Sequence, residues 1–405
     1  MTAPMHIMIV AGESSGDRLG AALMRALRTE AGVALRFSGV GGAMMRAEGL
    51  ETVFPAEDIA VMGFVEVVPH IPRVLDRLRR ATRFAARERP DALVTIDAQV
   101  FSAMLAKRVH RAAPGTALVQ YVAPTVWAWK PWRAAAAAKI YDRMLTLLPF
   151  EPPWFEREGL AADYVGHPVV ERIADLPVDA ADTLRRDLDI PADAPVLLVA
   201  PGSRQSEIAR LMVPFGEAAA LLAGRVEGLR VIVPVADAVA ERVAREVADW
   251  LVPVHLLRSE GRSNDEAERR KFAAFGTADV ALVASGTVAL EVAAMRTPMI
   301  VGYRVPKSTE FIIRRLVRVR SFTLVNLMVG RKAVPELLQE RCTGPRLADA
   351  LAAVLADSAD QRAAFDEAFA SFGNESAPPS TRAARGVLTA IAGKARSGQR
   401  LSIGT

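Results

Sequence analysis

The chain has 405 residues, 51% of them hydrophobic and 24% charged, which excludes a largely disordered protein and fits two or three globular domains with large cores. Lys and Arg outnumber Asp and Glu by 51 to 46, so phosphate, an anionic lipid surface and nucleic acid are all compatible partners. Cys342 is the single cysteine, which excludes a disulfide framework and favours the reducing cytoplasm. No apolar stretch approaches the ~20 residues that span a bilayer, so any membrane contact is expected to be peripheral.

Apolar runs of strand length alternate with segments of helical period, a pattern typical of βαβ units around buried parallel sheets. In the first half the predicted strands are 6–10, 36–40, 92–97, 117–122 and 143–149. In the second half they are 196–201, 229–235, 280–285 and 298–303, followed by helical segments such as 207–225 and 287–296. The predicted fold class is therefore α/β, with two Rossmann-like parallel-sheet domains that face a central cleft.

Prolines at 177, 191 and 195 favour a domain boundary near 175–190. We predict an N-terminal domain over 1–178, a C-terminal domain over 179–372, and a helix and tail over 373–405. The segment 381–395 has the composition of a helix that crosses back to the N-terminal domain.

The stretch "VAGESSGDRLG" (10–20) follows the first strand and opens a helix. Backbone N–H groups at such a turn can bind a phosphate or a sugar oxygen. The candidate binding residues are Gly12, Glu13, Ser15, Gly16 and Asp17. A tight turn in which Ser15 or Asp17 merely caps the helix is the alternative, and the pattern does not match a dinucleotide-binding G-x-G-x-x-G.

Asp97 ends an apolar strand in "VTIDAQVF". A carboxylate at the end of a buried parallel strand is partly desolvated, which raises its pKa and suits it to act as a general base on a hydroxyl. The alternative is a cap of the following turn.

The first βα turn of the second half reads "VAPGSRQSEIARL" (199–211). Gly202 and Ser203 permit close backbone approach, and Arg204 has the guanidinium geometry that binds a diphosphate. In the alternative, Glu207 completes a helix cap and Arg204 is solvated.

A second turn of this kind lies in "VASGTVALEVAAMRTP" (283–298). Ser285, Gly286 and Thr287 start a helix after a strand, which predicts an anion site, and Glu291 lies one turn further on the same face, where it could hold ribose hydroxyls. A plain N-cap with Glu291 in a salt bridge is the alternative.

Two basic amphipathic segments, 71–90 and 311–320, have three interpretations. They are helices packed on a sheet with solvated arginines, faces lying on an anionic membrane, or nucleic-acid surfaces. No RNA- or DNA-binding signature supports the last. The five histidines show no metal-ligand spacing, so no metal site is expected.

The segment "YVAPTVWAWKPWR" (121–133) holds three of the five tryptophans, Trp127, Trp129 and Trp132, beside Lys130 and Arg133. Core packing, base stacking and an amphipathic surface at a lipid boundary are the three uses that this composition allows.

Many motifs together resemble one family. They occur in this order: "VAGESSGDRLGAALMRAL", "GVGGAMMRAEGL", "IAVMGFVEVVPHIPRVL", "VAPTVWAWKPWR", "LPFE", "VGHP", "PGSRQSEI", "VASGTVALEVA", "MIVGYR" and "VNLMVGRKAVPELLQE". In this order and over about residues 6–355 the chain is similar to the lipid-A-disaccharide synthases, which are GT-B glycosyltransferases of lipid A biosynthesis in Gram-negative bacteria.

The resemblance implies transfer from UDP-2,3-diacylglucosamine to 2,3-diacylglucosamine 1-phosphate, with release of UDP and inversion at the sugar. It implies Asp97 as the base on the acceptor 6-hydroxyl and Arg204 as the group that stabilises the leaving diphosphate. Neither a metal nor another cofactor is implied. UDP would be held by Ser285, Gly286, Thr287, Glu291 and, as a weaker candidate, Asn326, and Ser203 is a further substrate-binding candidate from the position of its turn.

The resemblance also implies that Glu13 and its glycine turn lie on the acceptor side of the cleft. We expect Trp127 and Trp129 to shape the cleft wall, and Trp132, Lys130 and Arg133 to lie toward acyl chains and phosphates. The protein would then be cytoplasmic and peripheral to the inner membrane, without a nucleic-acid partner, and association of two copies is left open.

The chain departs from the family at one place: Gln99 and Val100 stand where I-D-A-P-D-F is common, so Asp97 is kept but a proline and a second acid are replaced. Two alternatives remain. One is another UDP-sugar enzyme of the same fold, such as a lipid-linked N-acetylglucosaminyltransferase or a UDP-sugar 2-epimerase. The other is a membrane- or nucleic-acid-binding protein without catalysis.

Overall fold

A computed structural model describes residues 4–59, 71–284, 286–306, 321–373 and 377–402. The chain forms two compact units, the first made of Met1–Pro168 and Glu375–Thr405 and the second of Val169–Asn374. The segment 175–190, near which the sequence predicts the boundary, therefore belongs to the second unit.

The first unit is built on a parallel sheet with strand order β3-β2-β1-β4-β5-β6-β7. Its strands are β1 (Met5–Ala11), β2 (Leu35–Val40), β3 (Glu51–Thr52), β4 (Ala92–Ile96), β5 (Ala117–Tyr121), β6 (Arg143–Thr146) and β7 (Ala162–Tyr164). Its helices up to this point in the chain are α1 (Ser14–Glu30), α2 (Ala43–Ala47), α3 (Ile71–Glu88), α4 (Gln99–Ala112), α5 (Arg133–Ala138) and α6 (Pro152–Glu156).

The second unit has a parallel sheet with strand order β10-β9-β8-β11-β12-β13. Its strands are β8 (Val196–Ala200), β9 (Arg230–Pro234), β10 (Val254–Leu257), β11 (Val280–Val283), β12 (Met299–Tyr303) and β13 (Glu336–Leu338). Its helices are α7 (Val169–Ala174), α8 (Ala180–Asp187), α9 (Gln205–Ala223), α10 (Ala240–Ala248), α11 (Asn264–Thr277), α12 (Thr287–Ala294), α13 (Leu324–Val329), α14 (Gly344–Ala356) and α15 (Ala359–Ala370).

The last helix, α16 (Pro379–Ser402), packs in the first unit against α1 and strands β4, β5 and β6. Ala383, Ala384, Val387 and Ala390 are buried there in one cluster with residues of the sheet. Gly386 allows the close approach, because a Cβ at that position would lie 2.6 Å from Leu145 Cδ2.

The central strands are covered by apolar clusters on both faces, which explains why they read as continuous apolar runs rather than alternating ones. On β1, for example, Ile7 and Ile9 belong to the cluster with α1 and α16, whereas Met8 and Val10 belong to the cluster with α3 and α4.

Helix α3 carries the first basic segment, and its apolar side faces the core of the unit. Leu78, Ala81 and Ala85 are buried there, while the exposed arginines are Arg73, Arg79, Arg80, Arg83 and Arg87. The helix is therefore packed on the core of the unit with its arginines exposed, and contact of these arginines with a membrane stays a prediction. The second basic segment, 311–320, lies outside the described residues. Among the helices that are described, none is long and apolar enough to cross a bilayer.

Each sheet has one point where the strand order reverses. In the first unit the chain runs from β1 outward through β2 to β3 and then returns to place β4 on the other side of β1. In the second unit the same reversal separates β8 from β11. Ligands of open α/β sheets bind at the carboxyl ends of the strands that flank such a point.

Candidate functional site

Glu13 and Asp97 flank the reversal point of the first sheet, because Glu13 follows β1 and Asp97 follows β4. The two turns touch: a Cβ built on Gly12 would lie 3.5 Å from the Ala98 Cβ. Glu13 is half-buried and is the N-cap of α1, while Ser15 is exposed. The structure thus brings together the acidic residues that the sequence selects in two separate motifs.

Asp97 lies in a sharp turn between β4 and α4. Asp97 and Ala98 both take left-handed backbone angles, with φ of 49° and 42°. Such angles are costly for residues other than glycine and cluster at functional sites. The backbone N–H of Asp97 donates to Tyr121 O at 3.1 Å, and the Ser102 hydroxyl donates to Asp97 O at 2.7 Å, so neighbouring elements hold the turn in place.

Burial raises the pKa of the Asp97 carboxyl above its usual range, and the neighbouring Gln99 side chain and Ala98 backbone N–H offset part of that effect. A carboxylate with a raised pKa is a stronger base than an exposed one. The role of Asp97 as a general base is compatible with these surroundings and stays a prediction.

The sequence predicts Asp17 as a substrate-binding residue, but the structure shows its carboxylate bound to other parts of the protein. Its buried carboxylate accepts hydrogen bonds from the backbone N–H groups of Gly42, Met44 and Met45 at 2.7 to 3.0 Å. The side chain therefore caps the start of α2 and joins that helix to α1. The glycine after it in the motif, Gly20, serves the same contact, because a Cβ there would lie 2.4 Å from Met45 Sδ. Gly16 instead lets α1 approach β1, since its Cβ would lie 3.2 Å from Ala11 Cβ.

Trp127 is tied to a buried acid that the sequence analysis missed. The indole Nε1 of Trp127 donates to Glu151 Oε1 at 3.1 Å, and the Trp127 ring packs edge-on against Phe150. The other oxygen of Glu151 accepts the backbone N–H groups of Leu147 and Leu148 at 3.1 and 3.0 Å. Burial raises the pKa of Glu151 to about 7. Trp127 is thus fixed by packing and by this hydrogen bond, and we interpret it as structural.

The other two tryptophans of the loop, Trp129 and Trp132, differ from Trp127 in their surroundings. Trp129 carries the Lys130 ammonium 4.3 Å from its ring centroid, a cation–π contact. Its indole N–H is buried without a hydrogen-bond partner in the part of the chain that the structure describes. Trp132 is 64% exposed, and burial lowers the pKa of Arg133.

In the second unit, Glu207 fills the first of the two predicted anion sites. Its Oε2 accepts the backbone N–H groups of Ser203 and Arg204 at 3.1 and 3.2 Å, and the Tyr303 hydroxyl donates to Oε1 at 3.2 Å. Gly202, with a φ of +108°, is required here because a Cβ would lie 2.3 Å from Glu207 Oε2. Glu207 therefore caps the start of α9, as the alternative interpretation expects. Because the backbone N–H of Ser203 is already bound to Glu207, it is not available to a phosphate. The Arg204 side chain is 58% exposed.

The second predicted anion site is at the start of α12. Gly286 is its N-cap with a φ of +134°, receives no side-chain cap, and is exposed together with Thr287. Ser285 lies outside the described residues. Within the range that the structure describes, this turn contrasts with the turn before α9, where Glu207 occupies the backbone N–H groups.

Glu291, one turn into α12, is buried in a cluster of four charges. Its Oε1 accepts from Arg172 at 2.8 Å and its Oε2 from Lys271 at 3.1 Å. Both cations also contact Glu268, at 3.2 Å each. Glu291 thus forms the salt bridges that the alternative interpretation expects. A ribose hydroxyl that binds Glu291 would have to share its carboxylate with Arg172 and Lys271.

Asn326 is also structural, which corrects its predicted contact with UDP. It is buried, and both ends of its amide bind Val334: Nδ2 donates to Val334 O at 2.9 Å and Oδ1 accepts from Val334 N at 2.7 Å. A longer contact of 3.4 Å joins Nδ2 to Glu336. No group of three or more acidic, histidine or cysteine side chains suited to a metal occurs among the residues described.

The whole chain also matches known proteins. Residues 7–385 fit the family model described as lipid-A-disaccharide synthetase. The chain belongs to this family. The lipid-A-disaccharide synthase of Rhodospirillum centenum is 44% identical over 391 residues, which cover 96% of this chain and 95% of that protein. Family membership confirms the resemblance found in the sequence and identifies the chain as an enzyme, a glycosyltransferase, in preference to the epimerase and binding-protein alternatives.

Solved structures agree on the fold. The glycotransferase of kitacinnamycin superposes with a TM-score of 0.60 at 16% identity and covers 96% of this chain and 100% of its own. The UDP-GlcNAc 2-epimerase of Neisseria meningitidis gives a TM-score of 0.60 at 10% identity, with 88% and 93% covered. These likenesses, with the two parallel-sheet units, confirm the predicted GT-B class. A transferase and an epimerase both share this fold with the chain. Family membership, and not the fold, therefore distinguishes between these two activities.

Proposed function

We propose that this lipid-A-disaccharide synthase family member transfers a diacylglucosaminyl group from its UDP-linked donor to the 6-hydroxyl of a diacylglucosamine 1-phosphate. In the single displacement, the acceptor oxygen bonds to C1 of the donor sugar, the bond from C1 to the diphosphate breaks, and UDP leaves. Asp97 takes the hydroxyl proton. Attack on the face opposite the leaving group inverts the configuration at C1.

The observation that carries the proposal is the position of Asp97. It is a half-buried carboxylate with a raised pKa, held in a left-handed turn at the reversal point of a parallel sheet. Gly12, Glu13 and Ser15 follow the neighbouring strand and would contact the acceptor sugar, with the Trp129 indole N–H, which has no acceptor among the described residues, as a further donor.

For the donor, the exposed Arg204 guanidinium is proposed to bind the diphosphate, on which charge develops as the bond breaks. The start of α12, formed by Ser285, Gly286 and Thr287, is proposed to bind phosphate through backbone N–H groups, with Glu291 toward the ribose. This turn is favoured over the one before α9, where Glu207 occupies the backbone N–H groups, because no described side chain is hydrogen-bonded to the N–H groups of Gly286 and Thr287.

The test is the variant Asp97→Asn, which keeps the shape of the side chain and removes the base. General-base catalysis contributes roughly 10² to 10⁴ in rate, so kcat should fall by that factor while UDP binding, measured by calorimetry, stays within about twofold. Val33→Ala, an exposed change on the same unit, is the control. Turnover of Asp97→Asn at the wild-type rate would refute the assignment.

We also infer peripheral contact with an anionic membrane through the first unit. Trp132 is exposed beside Lys130 and Arg133, and α3 presents exposed arginines. Sedimentation with vesicles of phosphatidylglycerol should fall several-fold in Trp132→Ala and at high salt. Binding that neither change weakens would count against this contact.

A further inference from the structure

Glu291 belongs to a closed ring of four charged side chains in the second unit. Arg172 on α7 donates through Nη1 to Glu291 Oε1 at 2.8 Å and to Glu268 Oε1 at 3.2 Å. Lys271 on α11 donates through Nζ to Glu291 Oε2 at 3.1 Å and to Glu268 Oε1 at 3.2 Å. Each cation therefore bridges the two carboxylates, and the ring joins helices α7, α11 and α12.

The ring fixes the direction of the Glu291 carboxylate. Arg172 and Lys271 bind different oxygens of it, so the plane of the carboxylate is set from two sides. Lys271 is itself held by aromatic rings, because its Nζ lies 5.1 Å from the ring centroid of Phe272 and 5.7 Å from that of Phe275. Each oxygen of an ionised carboxylate has a second lone pair, so a hydroxyl that reaches Glu291 still meets an acceptor of fixed direction.

Stability alone does not account for such a ring. Glu291 is buried, and Arg172, Glu268 and Lys271 are half-buried. Removing charges from water is costly, and apolar side chains of similar size often stabilise a buried site equally well. A role in recognition explains why charged groups are used at this position.

The position of the ring relates it to the candidate donor site. Glu291 lies four residues, or about one turn, after Thr287, which is exposed at the start of α12. An isolated carboxylate at this distance would repel a diphosphate bound to the start of the helix. Arg172 and Lys271 offset this repulsion, because the ring contains two cations and two anions.

We propose that Arg172 and Lys271 are positioning residues for nucleotide recognition. They hold Glu291 so that its remaining lone pairs accept the ribose hydroxyls of UDP, and they offset the charge of Glu291 beside the diphosphate. Both residues act through Glu291 and not by touching the nucleotide. The inference rests on the proposed function, since it assumes that UDP binds at the start of α12 with its ribose toward Glu291.

The experiment measures the Kd of UDP and of 2′,3′-dideoxy-UDP by calorimetry. A hydrogen bond to a charged group contributes roughly 10- to 100-fold in affinity, so the wild-type protein should bind UDP more tightly by that factor. We expect this ratio of Kd values to fall by about three- to tenfold in Arg172→Met and in Lys271→Met. The two nucleotides share the base and the diphosphate, so a change in charge that affects both equally cancels in the ratio.

Arg270→Met is the matched control. Arg270 lies on the same helix as Lys271, and its Nη1 donates to Asp187 Oδ2 at 2.6 Å. Its replacement removes an ion pair that does not include Glu291, and should leave the ratio unchanged. A loss of stability lowers the number of binding sites and affects both nucleotides alike, so it cannot imitate the expected change. A wild-type ratio in both Arg172→Met and Lys271→Met, or an equal fall in Arg270→Met, would overturn the proposal.

The proposed function and this inference can fail separately. If the wild-type protein binds UDP more tightly than the dideoxy nucleotide but forms no disaccharide, the proposed transfer fails, and the Kd values still test Arg172 and Lys271. If it forms the disaccharide while both variants keep the wild-type ratio, the transfer stands and the inference fails. Equal binding of the two nucleotides by the wild-type protein would exclude the ribose contact of Glu291, and the inference with it.

Discussion

Asp97 and Ala98 take left-handed backbone angles at the end of β4, each costing on the order of 1–3 kcal/mol. Ser102 and Gln120 both bind the backbone of this turn through Asp97 O. These contacts explain how the conformation persists, and they place a desolvated carboxylate at the strand end. The sequence predicts the carboxylate and its position, but the contacts that hold it come from residues further along the chain.

Glu151 makes a second test possible at the residue scale, because burial raises its pKa to about 7 and Trp127 reports on it directly. Trp127 fluorescence should titrate with a midpoint near pH 7, as the acceptor of its indole N–H becomes ionised. Trp127→Phe should abolish the transition, and the exposed Trp132→Phe should retain it. A titration that persists in Trp127→Phe would refute this origin.

The same shift affects stability. The folded pKa of Glu151 lies above its ordinary value of 4.5, so its contribution to the free energy of unfolding is fully present below about pH 4.5. That contribution is lost as pH rises through about 7, and its size is on the order of 3 kcal/mol.

At the scale of elements, carboxylates of the chain itself occupy backbone N–H groups that resemble phosphate sites. Asp17 does so at α2, Glu207 at the turn before α9 and Glu151 after β6. The start of α12 has no such side-chain cap in the region described by the structure. A glycine-containing turn after a strand is therefore an incomplete signal, since a nearby acid can satisfy the same groups internally.

Gly202 tests the contact with Glu207. Alanine there would adopt a φ of +108° and place its Cβ 2.3 Å from the Glu207 carboxylate. Gly228 has a φ of +72° and open space around it, so Gly228→Ala measures the backbone cost alone, about 1 kcal/mol. We expect Gly202→Ala to lower the free energy of unfolding by roughly 1–2 kcal/mol more than Gly228→Ala. Equal losses in chemical denaturation would contradict the account.

The sequence predicts the longer strands well, since strands such as β1, β8 and β11 contain a continuous apolar run of at least four residues. It misses β3, β7, β10 and β13, which are two to four residues long, since so few residues carry no periodicity. Of the site, Asp97, Glu13 and Arg204 lie where the strand ends predict them. The side chains of Asp17 and Asn326, which the sequence predicts to bind ligand, are hydrogen-bonded within the protein, and the sequence could not show this because their partners come within reach only in the folded chain.

At the scale of the molecule, the first unit is discontinuous in sequence. Helix α16 closes it, with Arg385 paired to Glu30 at 2.7 Å and Lys394 to Asp142 at 2.9 Å. The pairs are partly exposed and contribute little, so the buried alanines and Val387 are the main contribution. The sheet that carries Asp97 thus depends on the end of the chain for one of its faces.

The central claim is that this protein joins two acylated glucosamines with Asp97 as base. The most direct measurement is mass spectrometry of the products formed from UDP-2,3-diacylglucosamine and 2,3-diacylglucosamine 1-phosphate by the wild-type protein and by Asp97→Asn. The account predicts a tetraacylated disaccharide monophosphate and UDP from the wild-type protein, and at least a hundredfold less of both from the variant. Absence of the disaccharide from the wild-type reaction, or equal amounts from the two proteins, would contradict it.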